Sequence, residues 1–296
     1  MIMSLKWLRK YRLTIGKENT VGATNAAQSV IITDSHIEFD VSITGDSKLN
    51  TLDLKIYNLS RSTIAIFDIE NVQVTLEVAY GDDPFVVLFK GEKTYMTTAK
   101  KGTEIITTVK AAEGSVATKE GQVNLTMPEN SKVKDIVSKM VAEGMPEVKS
   151  VNMNGGTLDR VYNKGFSASG NIKKALDDLC KSNNLQWTLD KGDTINIYPL
   201  NGDTKVKAIQ LTPYNGLINT PEKTNKEIDK LKKDLDKEDT AGVKFECLLE
   251  PLIQACGVVQ LQGTFNADGN YKVTKVSHSG GYESDDWKTS VEAVNY

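Results

Sequence analysis

The chain of 296 residues lacks paired cysteine motifs, long apolar runs, a basic surplus and a dense set of aromatics. Each lack removes a class of function. Its three cysteines, Cys180, Cys247 and Cys256, are odd in number and contain no CxxC pair, which suits reduced thiols rather than a disulfide framework. The opening stretch, MIMSLKWLRKYRLTIG, is basic but has no apolar core of signal-peptide length, and no later stretch is long enough to span a bilayer. Folding in the cytoplasm is the expectation. Lys and Arg total 36 against 39 Asp and Glu, a formal net charge of -3 with no long basic cluster, so tight gripping of nucleic-acid phosphates is not expected. Neither GxGxxG nor GxxxxGK[ST] occurs, and GDSKLN, GDD and GGT read as turn chemistry. Aromatics make up 7% of the chain and are thinly spread, so no glycan-binding groove is indicated.

What is present is strand. From Leu8 to about Gly114 the segments RLTIG, SVIIT, HIEFDVSIT, LDLKIY, VQVTLEVAY, FVVLFKG and EIITTVKAA follow one another at short spacing, separated by Gly, Asn and Asp turns. That pattern predicts a barrel or sandwich. Leu52, Leu54 and Ile56 share one face of a strand, as do Val72, Val74, Leu76 and Val78. Asn58 breaks the first run, and Ser60 is placed to cap a short helix carrying Ile64, Ile66 and Phe67.

The character changes between about Ser115 and Thr204. Val133, Ile136, Val137, Met140 and Val141 form one helical stripe, and Ile172, Ala175, Leu176, Leu179 and Cys180 form a second. The second leads into LQWTL, a DKGD turn and TINIY, which read as a hairpin. After Leu200 strands return, interrupted by a charged run at about 222–240. The expected fold is mainly β with an α+β insertion: residues 1–114 and 205–296 as tube-like β-barrel domains flanking a small α+β domain at 115–204.

YNLS followed by an aliphatic strand, AYG and an LFKGE-like strand resembles the first tube-like domain of baseplate hub proteins from contractile phage tails and related contractile injection systems. The helix and Trp-bearing hairpin over 169–199 resemble the hub middle domain. The likeness is strongest near the end, in GLI-x-x-P, LLEP, VVQL, VSHSGG and DDWKTSVEA. The motif residues are Asn58, Gly81, Gly91, Pro221, Pro251, His278 and Trp287. Two departures stand out: the charged run after Pro221 looks inserted, and IQACG stands where a basic or Pro-Gly approach precedes the VVQL strand.

The resemblance implies a non-enzymatic, cofactor-free homotrimer in the virion tail baseplate, assembled in the host cytoplasm. It implies partners in a central spike protein, a tail tube protein and other baseplate proteins, with DNA passing through the channel without specific binding. A neutral or acidic lumen suits such passage, because basic linings adhere through counterion release. The rival is a cell-wall-binding or glycan-hydrolysing tail-associated protein using Asp285 and Asp286; a tail-tube or spike-proximal protein is a third reading.

Three features invite chemistry and have plainer accounts. His278 with Asp285, Asp286 and Trp287 is the only cluster that tempts an acid–base reading; the structural expectation is that Gly280 and Gly281 form a tight turn while His278 and Trp287 lock it. Cys247, Cys256 and His278 lack the close pairing of zinc ligands and are expected as small buried side chains. In the charged run, Ile228, Leu231 and Leu235 form a thin stripe with nearly balanced charges around it. It is expected as a solvated insertion, or alternatively as a helix docking on a neighbouring baseplate subunit.

Overall fold

A computed structural model describes residues 8–16, 29–45, 48–69, 72–200, 207–224, 242–282, 284 and 286–296. Alternation sets the strands of the first flank: β1 (Arg9–Gly16), β2 (Ser29–Ile32), β3 (Ile37–Thr44), β4 (Thr51–Tyr57), β5 (Gln73–Tyr80), β6 (Val86–Lys101) and β7 (Glu104–Ala112), with α1 (Arg61–Phe67) after β4. Ser60 caps α1 by accepting from the Thr63 backbone N–H at 3.1 Å, as its residue type predicts.

The middle holds α2 (Ser115–Glu120), β8 (Gln122–Met127), β9 (Ser131–Lys132), α3 (Val133–Gly144), β10 (Ser150–Met153), β11 (Val161–Tyr162), β12 (Phe166–Asn171), α4 (Ile172–Ser182), β13 (Leu185–Asp190) and β14 (Thr194–Pro199). The buried residues of α3 include all five of its predicted stripe, and α4 buries Ile172, Leu176, Leu179 and Cys180. The last flank is β15 (Ile209–Leu211), β16 (Leu217–Thr224), β17 (Gly242–Leu248), β18 (Val258–Leu261), β19 (Gly269–Gly281) and β20 (Trp287–Asn295). The protein is thus mainly β with few helices. Among the described residues no helix is long and apolar enough to cross a membrane.

The two flanks do not build separate sheets. Their thirteen strands join in the order β16-β17-β20-β19-β3-β4-β7-β6-β5-β1-β2, with β15 and β18 branching from β19. The seam is antiparallel pairing of β3 with β19, from Lys275 opposite Thr44 to Gly281 opposite Glu38. One apolar core runs beneath both flanks, from Tyr11 to Ala293, while residues from Val123 to Ile197 of the middle pack into a second core of their own. Four residues, 33–36, link β2 at one border of the first flank to β3 at its other border. A similarly short link, 212–216, joins β15 to β16. Such short connections curl each flank back toward itself.

Three expectations change here. Gly280 and Gly281 are strand residues at the end of β19, opposite Phe39 and Glu38, and the reversal follows them. Glu222 and Lys223, expected at the start of the charged run, belong to β16 and pair with Lys244 and Val243 of β17. The stripe of Ile228, Leu231 and Leu235 lies outside the described residues.

Candidate functional site

Strand alternation gives the continuous sheet two faces. Val41, Leu52, Ile56, Val109, Val276 and Val291 point into the core, so the residues between them share the opposite face. On that face Lys244 stands opposite Glu292, which stands opposite Lys275. In the next rows Ser279 lies between Lys288 and Asp40, Asp40 faces Asp53, and Asp53 faces Lys110. Glu38 faces Lys55. By this alternation the face carries six cations, Lys55, Lys110, Lys244, Lys272, Lys275 and Lys288, and six anions, Glu38, Asp40, Asp53, Glu104, Glu246 and Glu292, spread across both flanks.

Most of these charges are paired. Lys55 Nζ lies 2.8 Å from Glu38, Lys110 3.0 Å from Asp53, Lys244 3.1 Å from Glu292 and Lys288 2.8 Å from Glu246. Ser277 donates to Asp40 at 3.1 Å. The Lys55 bond, helped by Tyr57, holds the Glu38 carboxyl below its usual range, and Lys288 does the same for Glu246. Exposed pairs of this kind contribute less than about 1 kcal/mol each to stability. Their larger effect is electrostatic: no single-sign field builds up over the face.

Two strand edges border this surface. β6 pairs with β5 only as far as Glu92, yet runs on to Lys101, so beyond Lys93 its outer edge meets no strand among the described residues. At the other border β16 pairs, among the described residues, only with β17. Its ladder shifts between Ile218 and Glu222, with Asn219 at φ 60 and Pro221 buried in the bulge. A proline suits this place because it has no N–H to offer a ladder. The bulge leaves an open cleft of about 350 Å³ between Asn219, Glu222, Lys244, Phe245 and Glu292.

The motif residues do not converge on one cleft. Asn58, at φ 57, ends β4; its N–H donates to the Ile105 carbonyl at 2.7 Å and its Oδ1 accepts from the Ile105 N–H at 3.0 Å. Gly81, at φ 50, starts the turn after β5. Gly91 lies where a Cβ would come within 2.6 Å of the Ala112 carbonyl oxygen. His278 and Trp287 lie at the seam, and the loop that carries Pro251 is tied to it through the Leu249 N–H, which donates to the Trp287 carbonyl at 3.1 Å. Trp287 is buried edge-on against Phe39, with ring centroids 5.5 Å apart. His278 is fully buried, and its Nδ1 lies 2.8 Å from Thr289 Oγ1. Thr289 Oγ1 also accepts from the Glu250 N–H at 2.9 Å, which fixes the loop carrying Pro251. Burial pushes the imidazole down to about 3. Asp286 is exposed on the turn before Trp287, and Asp285 lies outside the described residues. Cys247 and Cys256 are buried, Cys256 Sγ accepting from the Gln186 amide at 3.3 Å, and no cluster with metal-binding arrangement occurs among the described residues.

A further polar centre escaped the sequence reading. Glu113 is fully buried where the middle module meets the first flank, accepting from Asn50 Nδ2 and from the Lys191 N–H, each at 2.9 Å. Burial raises its carboxyl to about 8, and neighbouring Asp190 adds to the rise. The signal was available: Val109 and Ala111 point inward, and strand alternation puts Glu113 on the same side.

No protein-family model matches the sequence, and no curated protein matches it. Solved structures do match its fold. A tail protein from Neisseria meningitidis superposes with TM-score 0.64 at 10% identity, covering 96% of each chain. The 43 kDa tail protein of prophage MuSo2 from Shewanella oneidensis gives 0.61 at 10% identity, covering 97% of each. An E. coli component of the type VI secretion system, described as structurally similar to the T4 bacteriophage tail proteins gp27 and gp5, gives 0.55 at 12% identity over 89% of this chain and 75% of that one. The chain therefore has the fold shared by these phage tail and type VI secretion proteins.

Proposed function

We propose that this protein is a structural baseplate hub subunit whose homotrimer joins a tail tube to a central spike and encloses a channel for DNA. Residues 1–114 and 205–296 are the two tube-like units, and 115–204 is the module mounted on them. The observation that carries this reading is the charge-balanced face running unbroken across β17, β20, β19, β3, β4 and β7. A channel wall must pass a polyanion without holding it, and a wall with equal numbers of cations and anions has no surplus of counterions to release.

The same reading gives the edges a role. A trimer needs each chain to meet two neighbours, and the unpaired length of β6 together with β16 offers backbone donors and acceptors for such pairing. The site is then the virion baseplate, after assembly in the host cytoplasm. The likeness to structural tail proteins supports a role without catalysis. Light scattering on the purified chain, alone and with its candidate spike, tests the proposal. A mass of three chains is expected, and a persistent monomer that ignores the spike overturns it.

A further inference from the structure

Tyr214 and Phe265 are the two most exposed large apolar side chains among the described residues, 86% and 92% accessible. They stand on adjacent loops at one end of the last flank. Pro213 Cδ lies 3.7 Å from the position of a Cβ on Gly263, the Gln262 N–H donates to the Leu211 carbonyl at 3.1 Å, and the Gln210 and Gln262 amides bond to each other.

Both loops are held by side-chain hydrogen bonds. Asn215 Oδ1 accepts from the Thr212 N–H at 2.6 Å, and its amide donates to the Gln210 carbonyl at 3.0 Å. The Asp268 carboxylate accepts from the Gly263 N–H at 3.1 Å, the Thr264 N–H at 2.7 Å and the Thr264 hydroxyl at 2.6 Å. Ala267 plugs the loop into the core. The backbone that carries the two rings is therefore already ordered before binding.

The two loops themselves are almost without charge. A quarter of the chain is Asp, Glu, Lys or Arg, yet residues 209–216 and 262–271 contain one such residue, Asp268, and its oxygens are spent on its own turn. Lys272, next in sequence, donates to the carbonyls of Pro199 and Leu200. The same two loops carry four amides, Gln210, Asn215, Gln262 and Asn266, each of a type that both donates and accepts.

We propose that this end of the last flank binds a neutral saccharide chain, such as one of N-acetylhexosamine or hexose units. A pyranose presents a flat C–H face to the negative face of an aromatic ring and a rim of hydroxyls that need groups able to donate and accept. A protein contact normally gathers its aromatic anchors into a more apolar patch, whereas beside Pro213 the loops that carry these rings bring the amides of Gln210, Asn215 and Gln262 together.

Titration calorimetry of the full chain with N-acetylchitohexaose and, separately, maltohexaose tests it. At least one sugar binds with Kd on the order of 1 mM or tighter, and Tyr214→Ala and Phe265→Ala each weaken it about tenfold. Tyr214→Phe and Phe265→Tyr keep a stacking face and retain the affinity. Raising NaCl from about 50 to about 500 mM leaves it unchanged, as expected for a contact without charge. Binding of neither sugar, or alanine variants that bind like the parent, overturns the proposal. So does a change in oligomeric mass in those variants without sugar binding, which assigns the rings to a protein contact.

Discussion

Asn50 and Glu113 meet in the buried junction beneath the β13–β14 hairpin, where the Asn50 amide bridges the Glu113 carboxyl at 2.9 Å and the Leu189 carbonyl at 3.0 Å. The turn of that hairpin also reaches the other flank, since Gln254 donates to Asp190 at 3.1 Å. One polar knot thus ties the middle module to both flanks. It contains two carboxyl groups raised by burial, Glu113 and Asp190, with Lys191 opposing both shifts.

A carboxyl held up at about 8 when folded and at its ordinary 4.5 when unfolded keeps its proton in the folded state over that interval. Its stabilisation is complete below 4.5 and is lost as pH rises to about 8. Glu113→Gln keeps an acceptor for Asn50 and Lys191 and has no proton to lose. Urea unfolding at a series of pH values should show the variant gaining on the parent from about pH 5 upward, by on the order of a few kcal/mol at pH 8. Parallel profiles would show that Glu113 does not titrate in the junction.

His278 has the opposite slope. Its Nδ1 is hydrogen-bonded to Thr289 Oγ1, which also accepts from the Glu250 N–H. A folded value of about 3 against an ordinary 6.5 gives stability that is complete above 6.5 and declines as pH falls toward 3. His278→Asn retains a hydrogen-bonding partner for Thr289 and costs about 1–3 kcal/mol at pH 7 through lost ring volume. Between pH 7 and pH 4 the variant should lose on the order of 2–3 kcal/mol less than the parent. Equal losses would place the acid sensitivity elsewhere.

These two residues show what was legible in the chain. The stripes of α3 and α4, the Ser60 cap and most strands rest on periodicities of a few residues, and they read directly from sequence. The seam does not, because β3 and β19 are more than two hundred residues apart and nothing local specifies which strand edge meets which. The balanced face was hidden for the same reason: Glu292 and Lys275 are unremarkable until the register sets them opposite Lys244 and Thr44. Tyr214 and Phe265 were similarly separate aromatics in a chain with few.

The seam itself is sensitive to one methyl group. A Cβ on Gly280 would lie 2.5 Å from Phe39 Cζ and 2.8 Å from Trp287 Cε3, inside the edge-on pair that joins the flanks. Gly280→Ala should cost about 1–3 kcal/mol, as overpacking of a filled core does. Thermal unfolding followed by Trp fluorescence reads the loss. A variant as stable as the parent would mean that the two rings part easily and that the seam is less tightly packed than the distances indicate.

Asp40 and Asp53 offer a test of the balanced face. They stand opposite each other on β3 and β4, and both are exposed, so substitution there leaves the core intact. Changing both to Lys converts an even balance into an excess of four positive charges beside Lys55 and Lys110. The parent should show no measurable affinity for double-stranded DNA at about 100 mM salt, whereas Asp40→Lys/Asp53→Lys should bind and lose affinity with salt at a log–log slope of about -2 to -4. Filter binding across a salt series provides the measurement. If the parent binds DNA as tightly as the double variant, charge balance on this face does not keep DNA from adhering, and the proposed channel wall loses its physical basis.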